Sequence, residues 1–147
     1  MRFAHTNIVS IDWIKLVEFY VNVFDCIIVP PIRNQSGKFL DKGTGLKDAK
    51  LQGAHLSLPG YDKNFPTLEI YQYEIIENQE HIAPNKRGFG HIAFEVDDVE
   101  KILKKVLENG GKKCGEITKK EIEGVGEITF IYVRDPEGNI IELQNWK

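Results

Sequence analysis

Two rhythms of apolar and polar positions run along the chain. From Asp12 to about Phe24, apolar residues recur at positions 13, 16, 17, 20, 23 and 24, the stripe of an amphipathic helix. The residues before it, Phe3 to Ile11, read as a strand that ends where Asp12 can cap the helix. After it, Cys26-Ile27-Ile28-Val29 forms a short apolar strand, stopped by Pro30-Pro31. Positions 33–50 are polar and glycine-punctuated and are expected to form a long surface loop with at most one short element. Leu51 to Leu58 alternates, with Leu56 and Leu58 on one face and His55 and Ser57 on the other. A turn over Pro59-Gly60-Tyr61-Asp62 leads to Thr67 to Tyr73, a strand whose faces are Leu68, Ile70, Gln72 and Glu69, Tyr71, Tyr73.

The second half repeats the first. Shifting the chain by 86 residues lays His5 on His91 and Asp12 on Asp98. The same shift places Trp13, Leu16, Val17, Tyr20 and Val21 on Val99, Ile102, Leu103, Val106 and Leu107, all apolar. His91 to Val96 is therefore expected to be a strand. Asp97 and Glu100 have the spacing of a capping box for a helix reaching Asn109, which Gly110-Gly111 ends. Lys112 to Thr118 and Glu127 to Arg134 read as strands. Asp135-Pro136-Glu137-Gly138-Asn139 reads as a tight turn, and Ile140 to Trp146 as the last strand. Each copy is thus strand, helix, three strands. The fold class is α+β: a first βαβββ module over residues 1–78, a linker over 79–90 and a second βαβββ module over 91–147, together one domain. The repeat implies pseudo-twofold symmetry.

Composition narrows the partners. A chain of 147 residues with 41% hydrophobic and 28% charged positions can bury a core unaided. A net charge of -3 gives no attraction to nucleic acid or to an acidic membrane surface. No stretch approaches the ~20 apolar residues of a membrane span, and the first residues lack the apolar run of a signal peptide. Cys26 and Cys114 fit a reducing compartment, so a cytoplasmic protein is expected.

Four residues stand out chemically. His5 and His91 open the two copies. Glu69 and Glu142 lie in their last strands, in the words Thr67-Leu68-Glu69-Ile70-Tyr71 and Ile140-Ile141-Glu142-Leu143-Gln144. A carboxylate flanked by apolar residues inside a strand needs a cation or strong donors if it is buried. Two imidazoles and two carboxylates suit one divalent ion (Ni, Zn, Co, Mn or Fe). Among the other polar residues, His55 is read as an ordinary surface histidine, with a cleft-facing position as the alternative. Arg33, Lys86, Arg87 and Arg134 are candidates to hold an anionic substrate tail, and Tyr71 and Tyr73 to line the pocket as apolar bulk. His81 in the linker is read as solvated. Lys101, Lys104, Lys105 and Glu108 form the wet face of the second helix.

The words His5-Thr6-Asn7-Ile8, Leu68-Glu69-Ile70, Gly90-His91-Ile92-Ala93-Phe94-Glu95-Val96-Asp97-Asp98 and Asp135-Pro136-Glu137-Gly138-Asn139-Ile140-Ile141-Glu142-Leu143 carry a resemblance. In this order and at this spacing the chain resembles the vicinal oxygen chelate superfamily of glyoxalases, bleomycin-resistance proteins and extradiol dioxygenases, and is closest to a glyoxalase I-like protein. The resemblance implies two modules whose curled mixed sheets surround a central cleft, a metal held by His5, Glu69, His91 and Glu142, a small-molecule substrate and a homodimer. It implies a metal-dependent lyase or isomerase acting on a small vicinal-oxygen substrate through an enediolate, with Glu142 as base and Glu69 as the second candidate. The pattern departs from short bacterial glyoxalase I at Val9, where arginine is usual, and at Tyr73, where asparagine is usual. Both are glutathione anchors in that family. A methylmalonyl-CoA epimerase-like isomerase and a non-catalytic bleomycin-resistance-like binding protein are the alternatives.

Overall fold

Both helices that the apolar stripes predict start on an aspartate. In the computed structural model, which describes residues 1–61, 66–77 and 82–147, the Asp12 carboxylate accepts from the Lys15 amide and the Asp98 carboxylate from the Lys101 amide. The second cap is therefore Asp98, the residue that the repeat aligns with Asp12. It is not Asp97, which the capping-box spacing favours. A side chain satisfies an orphan amide only from the residue just outside the first turn.

The chain divides into two compact units, Met1–Asn78 and Gln79–Lys147. The first runs β1 (His5–Val9), α1 (Trp13–Phe24), β2 (Ile27–Ser36), α2 (Lys38–Thr44), β3 (Lys50–Ser57) and β4 (Thr67–Tyr73). The second runs β5 (Ile92–Glu95), α3 (Val99–Glu108), β6 (Lys112–Lys113), β7 (Thr118–Ile122), β8 (Gly126–Arg134) and β9 (Ile140–Trp146). The sheet orders are β1-β4-β3-β2 and β5-β9-β8-β6, with β7 also paired to β8. In each sheet the first strand lies parallel to the last, and the last pairs antiparallel with the strand before it.

One face of each sheet is closed by its long helix. In the first unit, Leu16, Val17, Phe19, Tyr20, Val23 and Phe24 are buried, as are Ala54, Leu56, Leu68 and Ile70 on the strands. In the second, Val99, Leu103 and Val106 accompany Ile131, Val133, Ile141 and Leu143. Each large apolar side chain so buried contributes about 1.5–3 kcal/mol. Alternation then puts His55, Glu69 and Tyr71 on the opposite face of the first sheet, and Tyr132 and Glu142 on the opposite face of the second.

Several expected boundaries move. β2 continues through Pro30-Pro31 to Ser36, because it is an edge strand with amides to spare. Its register shifts between Val29 and Arg33 to pass the prolines, whose peptide bond is cis. The expected loop over 33–50 is thus partly strand and partly the helix α2. That helix puts Leu40 on Leu51 and Ala49, with Tyr71 and Tyr73 packed alongside. The expected strand from Lys112 to Thr118 breaks after Lys113, where the amides of Cys114 and Gly115 both fall on the Tyr132 carbonyl. β7, over Thr118–Ile122, is an additional strand. His81, Asp62 and the start of the linker lie outside the described residues.

Candidate functional site

The strand ladders place each histidine diagonally across from a glutamate. His5 registers with Thr67, two residues before Glu69 in the parallel pair β1/β4. His91 directly precedes Ile92, which registers with Ile141, so it too stands two residues short of its glutamate, Glu142. The results match. His5 Nδ1 lies 3.3 Å from Glu69 Oε1, and His91 Nε2 lies 3.0 Å from Glu142 Oε2. The four residues singled out from sequence therefore fall into two His–Glu pairs, one in each unit.

The third strand adds a partner at each glutamate: His55, for which a cleft-facing position is the alternative reading, and Tyr132, which the sequence reading missed. His55 registers directly with Glu69, and Tyr132 directly with Glu142, so these two residues occupy the same station in their sheets. His55 Nε2 stands 3.2 Å from Glu69 Oε1. The His55 side chain is only 20% exposed, which corrects its reading as an ordinary surface residue. The Tyr71 hydroxyl lies within hydrogen-bond reach of His55 Nε2, and the Tyr71 and Tyr132 phenols stand close enough to Glu69 and Glu142 to be raised by their charges. Tyr71 is therefore more than apolar bulk. Strand alternation marks the face of His55 and nothing marks Tyr132; the register between strands brings both beside a carboxylate.

Burial and the neighbouring charges act on the donors around each glutamate. The Glu69 side chain is 11% exposed, so its charge must be met by nearby donors. Burial, and then the Glu69 charge, push the Tyr71 phenol up to about 12. Burial and the Glu142 charge raise Tyr132 as well. Both phenols keep their protons at neutral pH and can donate. Burial lowers the His55 pKa, and the positive Arg33 beside it works in the same direction, against the pull of Glu69. Among the described residues no buried side-chain nitrogen or oxygen lacks a partner.

The arginines proposed as substrate anchors have other work. Arg33 donates to the Pro31 carbonyl and stands 3.3 Å from His55 Nδ1. Arg134 donates to the carbonyls of Gly138 and Ile82, at 2.8 and 2.9 Å. It thereby clamps the turn that precedes β9. Asp135, itself buried, holds the same turn by accepting from the amides of Glu137 and Asn139 and from the Asn139 side chain. Lys86 and Arg87 are exposed.

The donor set suits a divalent ion. Two ligand atoms ~2.0–2.2 Å from one ion, at angles between square and tetrahedral, stand roughly 3–3.5 Å apart. Each imidazole–carboxylate pair has that separation. It is also the separation of an N–H···O bond, so either pair can close on itself or turn to an ion. Among the described residues no group of three or more His, Cys, Asp and Glu side chains is already gathered to hold an ion.

Comparison with known proteins gives the family. The sequence model of the Glyoxalase/Bleomycin resistance protein/Dioxygenase superfamily matches residues 2–143, and the chain belongs to that superfamily. It is 28% identical over 142 residues to lactoylglutathione lyase GLX1 of Arabidopsis thaliana, covering 97% of this chain and 43% of the plant protein. The chain therefore spans under half the length of that curated relative. A glyoxalase family protein of Bacillus cereus superposes with a TM-score of 0.77 at 19% identity, covering 99% of this chain and 93% of the other. A glyoxalase I mutant from Zea mays superposes at 0.64, with 22% identity, 97% of this chain and 44% of that one. The fosfomycin resistance protein FosX of Listeria monocytogenes superposes at 0.59, with 16% identity, 100% of this chain and 93% of that one. These structural likenesses concern the fold. Among the described residues no helix is long and apolar enough to cross a membrane.

Proposed function

We propose that His5, Glu69, His91 and Glu142 hold one divalent ion, and that the protein is a glyoxalase-like lyase or isomerase of a small substrate with two neighbouring oxygens. The observation that supports this most is the matched pair of His–Glu contacts, produced by the same ladder offset in both sheets of a glyoxalase-superfamily chain. Bound there, the ion would act as a Lewis acid toward the substrate's neighbouring oxygens. A homodimer belongs to the same reading.

The two glutamates differ in how they are held. Glu69 is met by His5, His55 and Tyr71, and Glu142 by His91 and Tyr132. The carboxylate with fewer donors is the freer to take a proton, so Glu142 is the base. It removes the hydrogen from the hydroxyl-bearing carbon beside the carbonyl, and the electron pair passes to the carbonyl oxygen as an enediolate. The hydroxyl proton shifts to that oxygen, and the protonated Glu142 returns its proton to the former carbonyl carbon, leaving the carbonyl on the first carbon. Tyr132, donating to Glu142, keeps its oxygens oriented through both transfers. The relative in Arabidopsis is named for lactoylglutathione. Val9 and Tyr73 offer neither a guanidinium nor a carboxamide, so a carrier other than glutathione fits this chain better.

The test is proton exchange in deuterated water. Protein loaded in turn with Ni(II), Zn(II), Co(II) and Mn(II) is incubated with the methylglyoxal–glutathione adduct, methylmalonyl-CoA and simple 2-hydroxy carbonyl compounds. Label is expected at the carbon beside the carbonyl of at least one of them. Glu142→Gln should slow that exchange about 10²–10⁴-fold, the range for a lost general base. Full exchange by Glu142→Gln would remove Glu142 from the base role. No exchange with any metal would favour a binding protein of the bleomycin-resistance kind.

A further inference from the structure

Around Glu69 a chain of contacts runs inward from Arg33, and its chemistry has only one consistent direction. Arg33 Nη2 stands 3.3 Å from His55 Nδ1. A guanidinium can donate and never accept. The ring nitrogen facing it must therefore present a lone pair, which excludes both the Nδ1–H tautomer and the imidazolium. The one remaining proton of the ring sits on Nε2. That atom is 3.2 Å from Glu69 Oε1 and within hydrogen-bond reach of the Tyr71 hydroxyl oxygen. The Nε2–H therefore faces acceptors on both Glu69 and Tyr71.

We propose that Arg33 sets the tautomer of His55, making it a hydrogen-bond donor that positions Glu69 and preventing it from serving as a third imidazole ligand. His55 has the placement of a ligand, since it shares Glu69 Oε1 with His5. A histidine that binds an ion through Nε2 carries its proton on Nδ1, and here that proton would point at a guanidinium. The strand register builds the device. Arg33, Gly53 and Tyr71 stand abreast on β2, β3 and β4. Gly53, with no side chain, leaves the space over which the Tyr71 ring lies; an added Cβ would come within 2.6 Å of Tyr71 Cδ1. Among the described residues of the second unit, Tyr132 rather than a histidine stands at the equivalent station, in register with Glu142.

The functional consequence rests on the reading of Glu69 as a metal ligand; the tautomer does not. Two measurements on the full-length chain separate them. The first is long-range proton–nitrogen correlation of histidine-labelled, metal-free protein, with His55 assigned by comparison with His55→Gln. The expected spectrum shows His55 with Nε2 protonated and Nδ1 bare, and Arg33→Met should lose that preference. A His55 protonated at Nδ1, or at both nitrogens, overturns the proposal. So does an unchanged spectrum in Arg33→Met.

The second measurement titrates Zn(II) against a chelating indicator. His55→Phe should weaken binding about 10–100-fold, the usual effect of losing an outer partner of a metal ligand. His55→Gln, whose amide can still donate, should recover most of the loss. If Zn(II) converts His55 Nε2 to a metal-bound nitrogen, His55 is a ligand and the proposal fails. If the wild-type protein binds no Zn(II) while the tautomer is as expected, the metal reading fails and the role of Arg33 stands.

Discussion

Single residues carry the chemistry, and they differ in how openly the sequence displays them. His5, Glu69, His91 and Glu142 are visible because the chain repeats itself, so that an odd strand carboxylate in one half is matched by another in the second. His55 shows only as a cleft-facing alternative, and Tyr132 not at all, for a physical reason. They precede their glutamates by different intervals along the chain and meet them only through antiparallel pairing. Arg33 reads as a candidate anchor for an anionic tail until the structure shows it beside His55. The two cysteines give a residue-scale test of burial. Cys26 is 2% exposed, and desolvation pushes its thiol up to about 12, whereas Cys114 is half-buried. At pH 8 a thiol reagent should label Cys114 quickly and Cys26 only after denaturation. Because the folded state raises the Cys26 pKa above its ordinary value of 9.0, the thiol ionises first in the unfolded chain. Stability should therefore fall as pH rises from 9 toward 12, and Cys26→Ala should flatten that fall in a thermal-melt series. Rapid labelling of both thiols in the native protein would mean that α1 does not seal its sheet.

At the scale of elements, the strong periodicities were readable and the weak ones were not. The α1 and α3 stripes, the strand from Thr67 to Tyr73 and the last strand from Ile140 stand where their patterns put them. α2 was legible only as one short element of unspecified type, because it is seven residues long and buries only Leu40. β7 escaped notice because an exposed edge strand has no buried face to impose alternation. β2 escaped in part because prolines argue against a strand interior and say little about an edge. Gly53 tests how far the pairing of β3 and β4 shapes the site. A methyl group there would clash with the Ile70 carbonyl and stand 2.6 Å from the Tyr71 ring. Gly53→Ala should lower stability by about 1–3 kcal/mol, the usual effect of overpacking. It should also push the Tyr71 ring out of its partly buried place beside His55, bringing the phenol's titration back toward its ordinary value. A variant that melts like the wild type, with Tyr71 titrating as before, would show that β3 and β4 tolerate separation at this point.

For the whole molecule, the repeat explains why one chain holds two sheets of the same strand order, each with a parallel first and last strand and a His–Glu contact at the same ladder offset. Superfamily membership follows from nearly the full length of the chain; the substrate does not follow from the fold, since related folds host different chemistries. The central claim is that the two pairs serve one ion. Equilibrium metal titration with Co(II), read by its visible absorption and by elemental analysis after gel filtration, tests this most directly. The expected result is one ion per chain, with binding weakened at least tenfold by either His5→Ala or His91→Ala. Binding that survives unchanged in His91→Ala, or two independent ions per chain, would contradict a single centre built from His5, Glu69, His91 and Glu142.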